Sequence, residues 1–142
     1  MAEYIVFNTT TGEITRTGRV PDDMINLQAG AGETAITGVA NDLTDYIANP
    51  GTTNDVTAKA LLSTVATWDQ TTITADGVDE AILSTLPAAG SFEIAVPENA
   101  APIPGGAVSP PSLTFKATEP GTYVVTVKVS PYLDAVQSII AT

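Results

Sequence analysis

The stretch "EPGTYVVTVKVSPYLDAVQSII", Glu119 to Ile140, decides the fold. Tyr123, Val125, Val127 and Val129 fall on one side of an extended chain, with Thr126 and Lys128 on the other. That period of two buries one face of a strand and leaves the opposite face to water. Pro120-Gly121 turns the chain into this strand, and "SPYLD" turns it out again before "AVQSII" returns as a terminal strand. Two such arms predict the closing hairpin of a β-sandwich.

Working upstream, the same pattern repeats in short runs. "LTFKA" puts Leu113, Phe115 and Ala117 on one face. "SFEIAVP" puts Phe92, Ile94 and Val96 inward with Glu93 outward, and "EAILSTL" sets Ile82, Ser84 and Leu86 on a common face. "TTITAD" (Thr71 to Asp76) reads as a strand ahead of the turn at Gly77, and "ENAAPIPGGAVSPPS" as a Pro/Gly-rich loop. Short strands with turn signals every 8–12 residues are the mark of a sandwich. Tyr123 at the start of its strand, behind Pro120-Gly121, has its hydroxyl within reach of upstream backbone, the tyrosine corner of immunoglobulin-like folds.

The first fifty residues read as a smaller β-meander. "EYIVFN" is a strand, "TTTG" a turn in which Gly12 is free to take a positive φ, and "EITRTGRV" the returning arm. Pro21 ends the ladder, "ETAITGV" is a further strand, and "TDYIANPG" closes the region. Tyr4, Val6, Ile14, Ile36, Val39 and Tyr46 are its expected core, thin enough to need a neighbouring chain. The expected organisation is therefore all-β: a docking meander over 1–50, a connector over 51–69 and an immunoglobulin-like sandwich over 70–142. The connector segment from Thr52 to Ala66 fits either a helical stripe or an extended run, and its Thr and β-branched content favours the extended form. Trp68 marks the junction and is read as packing rather than a contact site.

Chemistry is scarce. No His and no Cys are present, which removes imidazole bases, thiol nucleophiles and zinc–thiolate sites together. No phosphate-binding Gly-Lys pair exists. A net charge of −11, with Arg16, Arg19, Lys59, Lys116 and Lys128 scattered, opposes nucleic-acid binding. No apolar run approaches the roughly 20 residues needed to cross a bilayer, and the start "MAEYIVFNTTTGE" does not have the form of a signal peptide. Asp76, Asp79 and Glu80 in "ADGVDE" offer hard oxygen ligands for a metal such as calcium. Their spacing misses the calcium-loop pattern, and a hairpin turn accounts for them. Neither an enzyme nor a cofactor is expected. Trp68, Tyr132 and Tyr46 are the rings available to a glycan, with Tyr132 the candidate ligand contact.

The opening "YIVFNTTTGEITRTGRVPDDMINLQAGAGETAITGVANDLTDYI" resembles short modules of tailed-bacteriophage structural proteins. "TTITADGVDEAILSTLP" with "FKATEPGTYVVTVKVSPYLDA" resembles the immunoglobulin-like module that often follows them. The resemblance implies a non-enzymatic virion component made in the host cytoplasm. Such a component is a tail-fibre or tail-appendage protein that docks through its N-terminal module, or alternatively a capsid decoration protein or a host-surface carbohydrate-binding module. It implies other virion proteins as partners, multiple copies on a symmetric assembly, and no catalytic residues.

Overall fold

The tetrad Tyr4-Ile5-Val6-Phe7 is the centre of the first unit. In the computed structural model, which describes residues 1–142, the chain divides into two units, Met1–Ala60 and Leu61–Thr142. In the first, β1 (Ala2–Asn8) lies between β2 (Ile14–Val20) and β3 (Glu33–Thr37), antiparallel to both. A second hairpin pairs β4 (Asp45–Ala48) with β5 (Asp55–Ala58). A 3-10 segment, Asp22–Gln28, packs against β1 and β3 and buries Ile25.

Ile5, Phe7, Ile14 and Ile47 form the core cluster here, with Ile36 and Ala40 packed against it. The expected core is thereby corrected. Ile14 and Val6 are buried, but Ile36, Tyr4 and Tyr46 are only half-buried and Val39 stands 72% exposed. Alternation misleads in β1 because its consecutive residues Ile5, Val6 and Phe7 are all fully buried. A strand enclosed on both faces reads as a continuous apolar run. Tyr4 instead rests its ring against Gly18, its cross-strand neighbour, where an added Cβ would meet the hydroxyl oxygen at 2.8 Å and ring carbons at 2.9 and 3.0 Å.

The β1–β2 turn needs a glycine. Gly12 has φ 74°, and its carbonyl accepts a hydrogen bond from the Ile47 amide at 2.8 Å. A Cβ there would collide with the Ile47 carbonyl oxygen. The turn thus ties the three-stranded sheet to the β4–β5 hairpin.

In the second unit the order along one sheet is β10 (Gly106–Val108), β9 (Gly90–Ala95), β12 (Gly121–Lys128), β13 (Ala135–Ala141) and β7 (Thr72–Ile73). All neighbours are antiparallel except β13 and β7. The other sheet orders β11 (Leu113–Phe115), β8 (Ala81–Ser84) and β6 (Thr67–Trp68). One apolar cluster draws on both, with Leu83 and Phe115 from the small sheet meeting Tyr123, Val125, Val127 and Ile139 from the large one. Phe115 and Tyr123 join the layers directly, their ring centroids 5.2 Å apart. The protein is all-β, and this unit is a two-layer sandwich.

Four expectations shift. The stretch Glu98 to Ser112, read as a loop, contains β10, which pairs with β9 and buries Val108. The strand anticipated over Thr71 to Asp76 is confined to Thr72–Ile73. In β8 the buried face is Ala81 and Leu83, whereas Ile82 is half-buried and Ser84 exposed. Leu86 is nonetheless buried, because Thr85 takes φ 61° and breaks the alternation. The segment treated as a connector, 51–69, is shared between the units: β5 completes the first, while the 3-10 turn Leu62–Thr64 and β6 belong to the second. Leu62 is fully buried there, so the segment is core-forming rather than a spacer.

Candidate docking surface

The acidic turn holds the three candidate metal ligands, Asp76, Asp79 and Glu80. Asp76 accepts hydrogen bonds at Oδ1 from the amides of Val78 and Asp79, both at 2.8 Å. These hold its carboxyl below the usual range, the Asp79 amide most strongly. Asp79 accepts from the Thr74 amide at 2.7 Å and from the Glu80 amide at 3.0 Å, and its carboxyl is lowered chiefly by the Thr74 contact. Glu80 pairs with Lys116 at 3.3 Å. The three carboxylates point at three different sets of partners, and no group of three acidic, His or Cys side chains is placed to hold a metal ion. Asp76 forms an Asx turn, and Asp79 ties the loop back to the Thr74 amide.

Tyr123 donates from its hydroxyl to the carbonyl of Glu119 at 2.9 Å, and burial, then the nearby Glu119 charge, raises its pKa. Pro120 precedes Gly121, whose φ of 149° opens β12. An added Cβ at Gly121 would run into the Pro97 ring. Trp68 pairs with Leu83 across β6 and β8, half-buried against the core. Tyr132 is likewise half-buried against that cluster, and Tyr46 lies in the other unit. Phe7, Phe115 and Tyr123 are buried, and the remaining aromatic side chains are half-buried.

What the first unit does expose is aliphatic. Met24 is 46% and Leu27 75% exposed; three residues apart on a 3-10 segment, they share one side. Leu43 is 74% exposed. The segment is held by a polar tie at its end: Arg16 donates to the Gln28 carbonyl and to Glu33 Oε2, the latter at 3.0 Å. Glu33 also accepts from the Gly30 amide at 2.9 Å and the Thr15 hydroxyl at 2.9 Å. These bonds, led by Gly30 and Thr15 and helped by Arg16, lower its pKa. Sequence reading passed over Met24 and Leu27, although the i, i+3 spacing in "DDMINLQ" was the available signal.

No protein-family model and no curated protein matches the chain. Among solved structures it is similar to a glycosyl hydrolase family 2 member from Bacteroides cellulosilyticus, at 13% identity and a TM-score of 0.38. That match covers 99% of this chain, which spans 22% of the length of the hydrolase. A likeness this low carries no inference about activity.

Proposed function

We propose that the chain is a non-enzymatic structural component of a tailed-phage particle, of the tail or tail-fibre kind. Residues 1–60 dock on a neighbouring virion protein, and residues 61–142 form a display domain of the immunoglobulin-like kind. The observation that carries this reading is the imbalance of the first unit. Its core cluster holds four buried residues, Ile5, Phe7, Ile14 and Ile47, while Leu27, Val39 and Leu43 are each more than 70% exposed. Large apolar side chains left outside so small a core fit a surface completed by a partner. The residue inventory, without His or Cys, fits a role in assembly.

Purified particles test it. The chain is expected among their proteins at a low copy number set by tail symmetry, and Leu27→Asp is expected to lower its incorporation while leaving it folded. Absence from the particles overturns the reading, and a copy number matching the capsid lattice reassigns it to decoration.

A further inference from the structure

A cavity of about 320 Å³ opens on the second unit, lined by residues 100–103 and 116–119 together with Gly77 and Tyr123. That volume lies at the lower end of the roughly 300–1,000 Å³ range of small-ligand pockets. Its wall is aliphatic on one segment, where Ala100 and Ile103 are half-buried against the sandwich core and Pro102 is exposed. One polar group in it is unmatched. Of the chain's five cations, four pair with carboxylates, Lys116 with Glu80 among them, and Lys59 donates to the Asp42 and Leu43 carbonyls. None of them reaches Glu119, which is half-buried and engaged only at its backbone carbonyl, by the Tyr123 hydroxyl. A carboxylate drawn partly out of water without a cation is an uncompensated cost.

We propose that this cavity binds an alkylammonium group, its charged head against Glu119 and its alkyl arm along Ala100, Pro102 and Ile103. The inference is independent of the phage reading. Other ligand classes fit less well. An anion would have to take Lys116 from Glu80, 3.3 Å away, and sit beside the Glu119 charge. A metal ion needs several hard donors, and no group of three acidic, His or Cys side chains is placed to hold one. A neutral apolar molecule would strip water from Glu119 and give it nothing in return. An ammonium supplies the missing donor and charge together, and the net −11 of the chain draws cations towards it. That group is carried by a free alkylamine or by the lysine side chain of another protein.

Amide NMR spectra of the full chain, titrated separately with pentylamine and with Nα-acetyl-lysine methylamide at neutral pH, test this. The expected result is saturable, millimolar binding that shifts the Gly77, Ala101 and Glu119 amides, and the tighter of the two probes names the source of the group. Glu119→Gln is expected to weaken binding about tenfold, with the rest of the spectrum unchanged because its side chain holds no partner. Glu98→Gln makes the same change of charge at an exposed residue outside the cavity lining, and is expected to leave binding intact. No shift at those amides with either probe overturns the proposal. So does pentanol binding as tightly as pentylamine, binding that survives Glu119→Gln, or an equal loss in Glu98→Gln, which marks attraction to the net charge alone.

Discussion

The hydroxyl of Tyr123 reaches back four residues to the carbonyl of Glu119, while its ring packs against Phe115 of the opposite sheet. One side chain thus fixes both the entry turn of β12 and the spacing of the two layers.

Tyr123→Phe removes only the hydroxyl and leaves the Glu119 carbonyl short of a partner. A loss of about 1–2 kcal/mol is expected in urea unfolding. Tyr123→Ala, which also empties the core beside Phe115, is expected to cost about 3–5 kcal/mol.

Gly12→Ala forces a β-carbon into a left-handed backbone position and against the Ile47 carbonyl. The expected cost is about 1–3 kcal/mol. Hydrogen exchange of the Ile47 amide, which donates to Gly12, should accelerate more than that of the β12 amides.

The two faces of β8 should separate cleanly. Leu83 is 1% exposed, so Leu83→Ala is expected to cost about 2–4 kcal/mol. Ile82→Ala, on the half-buried side, should cost about 1 kcal/mol. Equal effects in thermal melts would contradict the register.

Acid should loosen the loop around Asp76 and Asp79. Asp76 and Asp79 are depressed below their ordinary value of 3.8 by amide donors that the unfolded chain lacks. A depressed carboxyl contributes stability above its unfolded pKa and loses it as pH falls through the folded one. The loss is therefore expected below about pH 4. Asp76→Asn should give a flatter acid limb in a pH titration followed by circular dichroism; an unchanged limb would refute the assignment.

The β12 alternation was legible because one face is sealed and the other open, so Val125 and Thr126 obey opposite demands. The same rule failed in β1, where Ile5, Val6 and Phe7 are all enclosed and periodicity carries no information. Pairing of β5 with β4 depends on the turn between them, where Asn49 and Asn54 take φ of 52° and 53°. Nothing in "TTNDVTA" names its partner strand. The exposure of Leu27 was equally hidden, since the 3-10 segment is oriented by Arg16 and Glu33, distant in sequence. The turn role of Asp76 was readable from Asp-Gly chemistry.

The parallel pairing of β13 with β7 has a kinetic consequence. Thr142 reaches back to the Ile73 carbonyl across 69 residues, and the Ala75 amide in turn donates to the Thr142 carbonyl at 2.9 Å. Closing so long a loop is an entropic toll met before the contact returns anything. Until it closes, the Ile140–Ala141 end of β13 is left without its partner strand. Refolding of Leu61–Thr142 should consequently be slow and increasingly prone to aggregation as concentration rises.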